Sequence, residues 1–258
     1  MIDTHSHLND PKYAGIVGDV IARAAENGVK AIVVCGYDLP SSKLAVDLAE
    51  HYDKLFATVG IHPHDAKNYN FDTEKELAEL AKRPRVIAIG EIGLDYHYSY
   101  SPKTSQREAF AAQLDLAAKL ELPVVIHSRE AHDETMSALL PRIDKLVGGV
   151  FHCFSGNQFQ SKEVLDIGFA IGVDGPITYK NATILRNVVA TCPLEHILIE
   201  TDCPYLTPAP HRGKMNEPCY LKYIAEELGR IKATGLEEVD QATTRNALAL
   251  FPKMAGER

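Results

Sequence analysis

Leu122-Pro-Val-Val-Ile-His127 is a short apolar run that ends abruptly in a histidine, and the same device recurs along the chain. His152 closes Gly149-Val-Phe-His152. Glu91 follows Val86-Ile-Ala-Ile-Gly90, and Asp202 follows His196-Ile-Leu-Ile-Glu200-Thr. Two histidine pairs sit the same way: His5-Ser6-His7 near the start and His62-Pro63-His64 after Gly60. Short continuous apolar runs are the mark of strands buried on both faces. Imidazoles and carboxylates gathered at one end of such strands make a metal site.

Working outward, the spacing predicts eight strands: Met1–Thr4, Ala31–Cys35, Phe56–Gly60, Val86–Ile89, Val124–Ile126, Gly149–Phe151, Phe169–Gly172 and Ile197–Ile199. Helical patterns fill the gaps. Ile16, Val17, Val20, Ile21 and Ala24 place one apolar face on a helix that Asn27-Gly28 closes. Thr73-Glu-Lys-Glu76 has capping-box spacing, and Ser101-Pro102 suits the cap and first turn of a helix ending near Leu120. Two more helices are expected near 219–232 and 236–250. Strands alternating with helices predict an α/β chain, a TIM-like (β/α)8 barrel in a single domain over 1–258. In that fold the active site lies at the C-terminal ends of the strands, where every residue named above falls. A Gly-x-Gly-x-x-Gly after the first strand is absent, which argues against an open dinucleotide-binding sheet.

The 258 residues match the about 250 that such a barrel commonly uses. No run of about 18 apolar residues occurs, and Met1-Ile-Asp-Thr-His5 lacks the pattern of a signal peptide. A cytoplasmic protein with no membrane partner and no obligate protein partner is expected. Five cysteines form no Cys-x-x-Cys pair, which suits reduced thiols better than a zinc ribbon or disulfide framework. The net charge of −8 does not advertise, in bulk, the basic face of a protein that coats nucleic acid. If the substrate is a polyanion, bound cations and a few local basic groups must supply the attraction.

Alternation along a strand points His5 and His7 to one side, so both can reach one ion. Glu91 lies among apolar neighbours, where a carboxylate is costly unless paired or metal-bound. His127 and His152 each leave a buried strand. Asp202 can ligate an ion and orient or deprotonate a water, with Glu200 holding a ligand in place. Each has a plainer reading: Glu91 or Asp202 as a turn acid, His127 or His152 as a hydrogen-bonded core residue. Pro63 disturbs alternation at His62 and His64, so this pair reads as phosphate-contacting or proton-donating rather than metal-binding, or as a loop-structuring pair. Arg129 either grips a phosphate oxygen or pairs with an acid nearby.

Several stretches together resemble the TatD family of metal-dependent deoxyribonucleases. They are Asp3-Thr-His5-Ser-His7, Gly60-Ile-His-Pro-His64, Ile89-Gly-Glu91-Ile-Gly-Leu-Asp95, Pro123-Val-Val-Ile-His127-Ser-Arg129, His152-Cys-Phe-Ser-Gly156, Glu200-Thr-Asp202-Cys-Pro204 and Arg212-Gly-Lys-Met-Asn216-Glu-Pro218. The resemblance implies a TIM-like barrel and a hydrolase with two divalent ions acting on DNA phosphodiesters. Its matched ligands are His5, His7, Glu91, His127, His152 and Asp202. Glu91 would bridge the ions, and Asp202 and Glu91 would be the catalytic residues that help a metal-activated water attack. His62, His64 and Arg129 would position the phosphate, and Lys180, Arg212 or Lys214 would touch the neighbouring backbone. Imidazole-rich ligation suits zinc, manganese, iron or nickel, whereas the family points to magnesium or manganese for activity. The specific expectation is a 3′-to-5′ exodeoxyribonuclease on single-stranded DNA or frayed ends. The alternative is an amidohydrolase or esterase, including an aminoacyl-tRNA deacylase, using the same nucleophile on a carbonyl.

Overall fold

The computed structural model describes residues 1–256. Its strands are β1 (Ile2–Ser6), β2 (Ala31–Cys35), β3 (Leu55–Val59), β4 (Val86–Asp95), β5 (Val124–Arg129), β6 (Gly149–Phe151), β7 (Ala170–Val173) and β8 (Ile197–Ile199). Helices fall between and after them: α1 (Val17–Glu26), α2 (Leu39–His51), α3 (Phe71–Leu80), α4 (Lys103–Leu120), α5 (His132–Leu139), α6 (Gln158–Asp166), α7 (Thr183–Thr191), α8 (Leu221–Lys232) and α9 (Leu236–Leu250). The strands follow the order β1 to β8 in one sheet, with parallel pairing. This is the (β/α)8 class expected from the sequence. Every predicted strand is present. β4 and β5 run on past their predicted ends, to Asp95 and Arg129. Among the described residues no helix is long and apolar enough to cross a membrane.

The chain divides into two compact units. The first joins Met1–Val34 to Cys153–Ala249. β8 buries Ile-Leu-Ile, and β1 is buried throughout although only Ile2 of its Ile-Asp-Thr-His-Ser sequence is apolar. α1 turns Val20, Ile21 and Ala24 inward and ends at Asn27, with Gly28 left-handed (φ +83°), as its sequence predicts.

The second unit joins Cys35–His152 to the chain from Leu250 onward. Val124, Val125 and Ile126 are fully buried, each contributing about 1.5–3 kcal/mol by leaving water. α4 carries two buried glutamines, Gln106 and Gln113, seven residues apart and so on one face. Gln106 Oε1 accepts from the Asp95 amide at 2.9 Å while its Nε2 donates to the Asp95 carbonyl at 3.0 Å. Gln113 clips Ile61 the same way, at 2.7 and 3.0 Å. The helix therefore fixes the chain at Asp95 and just before His62.

Two cap predictions need correction. α3 starts at Phe71, capped by Asn70, whose Oδ1 accepts from the amides of Asp72 and Thr73 at 3.0 Å each. Asn70 lies three residues ahead of Thr73 and is at least as good a cap, so the helix begins earlier. At α4 the cap is Pro102 rather than Ser101. The Ser101 hydroxyl instead donates to the His64 carbonyl at 2.7 Å and accepts from the Lys67 amide at 3.1 Å, tying down the loop after β3.

Candidate metal centre

In the first unit, β1 delivers His5 and the chain just beyond it delivers His7. Asp3 pairs with Ile32 but Ser6 pairs with Val34, so β1 holds one extra residue in a bulge between Asp3 and Ser6. Bulges re-aim side chains where they interrupt a ladder. His5 Nε2 and His7 Nε2 lie 3.3 Å apart. Asp202 Oδ1 lies 3.3 Å from His7 Nε2 and 3.7 Å from His5 Nε2. Backbone bonds from the segment after β8 bring the aspartate there. The Asp202 amide donates to the His5 carbonyl at 2.9 Å, and the His7 amide donates to the Cys203 carbonyl at 2.8 Å. Asp202 itself is left-handed (φ +51°), a conformation that a short polar side chain tolerates better than most.

Buried polar groups hold this frame. Asp3 Oδ1 accepts from the Thr201 amide at 3.0 Å and Oδ2 from the Thr201 hydroxyl at 2.6 Å. Burial pushes the Asp3 carboxyl up to about 8, against the pull of those bonds. Glu200 Oε1 accepts from the Cys153 amide at 2.6 Å, and Oε2 faces the Thr4 hydroxyl at 3.4 Å. Gly172 makes room for that carboxylate: a Cβ there would meet Glu200 Oε2 at 2.5 Å. Asn216 Nδ2 donates to the carbonyls of Thr201 (2.8 Å) and Tyr205 (2.6 Å), clamping the segment that carries Asp202. Arg212, in the same motif, stacks its guanidinium 4.2 Å over the Tyr179 ring.

In the second unit, β4 is the organising strand. Ile89 pairs with Val124 but Ile92 pairs with Ile126, so a bulge again falls at the ligand candidate, here Glu91. Beyond it Gly93 pairs with His127, and a Cβ at Gly93 would strike the His127 carbonyl at 1.9 Å. Glu91, Gly93 and Asp95 alternate onto one face. Glu91 Oε1 lies 2.8 Å from His152 Nε2, 2.9 Å from His127 Nδ1 and 3.3 Å from His62 Nε2. His127 Nε2 points the other way, to Asp95 Oδ2 at 3.1 Å, and His64 Nε2 reaches the same oxygen at 3.0 Å.

The electrostatics follow this geometry. Burial opposes ionisation of Glu91, but the rings of His152, His62 and His127 outweigh it and hold the carboxyl well below the usual carboxylate range. Asp95 is buried too, yet bonds from His127, His64 and the Tyr98 amide hold it down. Burial disfavours a charged His127, and its bonds to Asp95 and Glu91 more than compensate, raising its pKa. For His62 burial prevails over Glu91 and lowers the pKa to about 4, so this ring is neutral at pH 7. Its Nδ1 accepts from the His64 amide at 3.2 Å, which places the proton on Nε2, facing Glu91. That tautomer donates a hydrogen bond to the carboxylate and offers no lone pair at Nε2.

Each cluster fits a divalent ion. Two imidazole nitrogens and one carboxylate oxygen crowd within 3.7 Å in the first unit. In the second, Glu91 Oε1 and the nitrogens of His127 and His152 stand within 3.3 Å of one another. Mixed imidazole and carboxylate donors at such spacing are the ligands of zinc, manganese or iron. Arg129 lies apart from these atoms. It is exposed, has no acid partner among the described residues, and rests 4.8 Å over the Tyr98 ring.

Asp95 lies in the same motif as Glu91, but a strand that ends at Ile89 gives it no role; β4 in fact runs to Asp95. The signal was the Glu-x-x-x-Asp spacing, which an extended strand puts on one face. The clamping by Asn216 and the two α4 glutamines left no mark in periodicity, since polar residues on a helix read as solvent-facing.

The TatD family model, described as TatD related DNase, matches residues 2–252. A Bacillus subtilis protein named uncharacterized metal-dependent hydrolase YabD is 43% identical, over 97% of this chain and 98% of its own. A Citrobacter rodentium protein named 3′-5′ ssDNA/RNA exonuclease TatD is 37% identical, over 97% of each. Among solved structures, the TatD homologue YJJV of Escherichia coli superposes with a TM-score of 0.92 at 33% identity, covering 98% of both chains. A full-length match in sequence and in fold leaves one assignment: the chain belongs to the TatD family of metal-dependent hydrolases.

Proposed function

We propose that this protein is a 3′-to-5′ exonuclease on single-stranded DNA that uses two divalent ions, one at each donor cluster. His5, His7 and Asp202 would hold one, and Glu91, His127 and His152 the other. The crowding of three nitrogens around Glu91 Oε1 carries the reading, since it supplies a buried carboxylate among imidazoles. Relatives named as ssDNA/RNA exonucleases, at 37% and 35% identity, support the choice of substrate. When bound, such ions supply Lewis acidity and neutralise charge developing on phosphate oxygens. They also offset a protein charge of −8 that would repel a polyanion.

The chain's own groups do the rest. The Asp202 carboxylate takes a proton from the attacking water, and Glu91 fixes the rings of His127 and His152. Neutral His62, with its proton on Nε2, is a hydrogen-bond donor and not a proton source. Arg129 and His64 position the phosphate. Magnesium or manganese suits turnover, while zinc, iron or nickel would bind well to the same donors.

The test compares the metal-loaded protein with its Glu91→Ala variant on end-labelled single-stranded DNA. Loss of cleavage in the variant is expected, with products shortening from the 3′ end and circular strands resisting. Equal cleavage by both proteins overturns the assignment. No cleavage of DNA by either, with turnover of an ester or aminoacyl-tRNA, moves the function to carbonyl hydrolysis.

A further inference from the structure

We propose that Tyr98 and Tyr100 form a stacking shelf that seats a base of a single-stranded nucleic acid; the proposal rests on the nuclease reading above. The two rings are parallel to within 3°, with centroids 5.5 Å apart. Both are exposed, at 40% for Tyr98 and 60% for Tyr100. Two large aromatic rings that stack on each other and remain this exposed present part of their apolar surface to water, beside the Arg129 guanidinium and the edge of His64.

The shelf is built from the candidate site outward. Asp95 Oδ1 accepts from the Tyr98 amide at 2.7 Å, while Oδ2 of the same carboxylate holds His64 and His127. The His64 ring stands edge-on to both tyrosines, at 5.7 Å from Tyr98 and 4.7 Å from Tyr100. Lys67 Nζ donates to the Tyr100 carbonyl at 3.2 Å. Both rings are thus tied to the second cluster through a single buried acid and one histidine.

Charge and shape select the occupant. Arg129 lies 4.8 Å over the Tyr98 ring with no acid partner among the described residues, and Lys67 is exposed beside Tyr100. Two cations flank an aromatic face on a protein of net charge −8. A planar aromatic group joined to a phosphate satisfies both features, and a nucleotide is that group. Base-on-aromatic stacking tolerates any sequence because every base has a π face. A base inside a duplex already has both faces covered, so the shelf favours single strands.

The test measures binding of a short fluorescein-labelled oligodeoxynucleotide by anisotropy with a chelator present, and cleavage with metal restored. Tyr100→Ala is expected to raise the Kd roughly 5- to 100-fold, with KM rising in step and kcat little changed. Tyr100→Phe, which keeps the ring face, is expected to stay within about 2-fold of the parent. Abasic sugars at the 3′ end should weaken binding to the parent and leave Tyr100→Ala unaffected. A parent that binds and cuts DNA, with the same Kd and KM in Tyr100→Ala, overturns the shelf and leaves the nuclease reading standing. Failure of Tyr100→Phe to preserve affinity also overturns it, since a fold defect and not a lost ring face would then explain the alanine variant. A parent that binds DNA through Tyr100 but never cuts it overturns the nuclease reading instead. A parent that neither binds nor cuts DNA overturns both.

Discussion

Asp95→Asn tests the second cluster at the point where the site's order depends on a residue outside the ligand set. The carboxylate is 1% exposed and takes four hydrogen bonds. Oδ1 accepts from the amides of His97 at 3.0 Å and Tyr98 at 2.7 Å, and Oδ2 faces His127 Nε2 at 3.1 Å and His64 Nε2 at 3.0 Å. In an asparagine the carbonyl oxygen keeps the two amide bonds, which aims the NH2 group at both imidazoles. His127 then loses a charge-assisted bond and gains a donor facing its own N–H. A hydrogen bond to a charged group is worth about 1.5–3 kcal/mol. Carried into ion binding through His127, that is roughly a 10- to 100-fold loss of affinity. The assay titrates metal-free protein with manganese or zinc against a chromophoric chelator and records thermal stability of the metal-free form in parallel. The expected result is weaker binding in the variant. Unchanged metal affinity, alongside a lower melting temperature, would show that Asp95 only braces β4, and the argument that it aligns a ligand would fail.

Gly172→Ala should put a Cβ at 2.5 Å from the Glu200 carboxylate and cost about 1–3 kcal/mol, because a buried acid held by the Cys153 amide cannot step aside; a urea midpoint equal to that of the parent would refute the close approach. Glu227 sits between Arg230 and Arg186, at 2.7 and 3.1 Å, and bonds from both arginines hold its carboxyl below the ordinary value despite partial burial. A depressed folded-state pKa adds stability above the unfolded carboxylate pKa and loses it as the pH falls through the folded value. Glu227→Gln should therefore flatten the acid limb of a melting-temperature profile below about pH 5, and a profile that keeps its slope there would count against the pair.

How much of this was legible in the sequence depends on whether a strand could be read to its end. All eight strands were legible, because short apolar runs set between helical patterns mark most of them; β1, Ile-Asp-Thr-His-Ser, is the polar exception. The family resemblance put His5, His7 and Asp202 among six ligand candidates, and the structure places the donor atoms of these three within 3.7 Å. What it missed lies where a ladder shifts register. In β4 the apolar run stops at Gly90, so the strand was closed there. The backbone in fact carries on through Glu91, Gly93 and Asp95 after one bulged residue. A bulge has no compositional signature, and a ligand-bearing strand end must be polar. The donor-bearing residues at the strand end are thus the ones that make the strand look finished. The same conflict explains the α4 glutamines. Gln106 and Gln113 are fully buried yet polar, because the strand and loop termini they clip have backbone groups that no neighbouring strand can satisfy. Apolar pattern finds the parts of a (β/α)8 fold that are finished by packing. The rims, where backbone groups need side-chain partners and donor atoms must face inward, follow hydrogen-bond accounting instead. There the useful signals are an acid two or four residues past an apolar run, and an amide side chain on the inner face of the following helix.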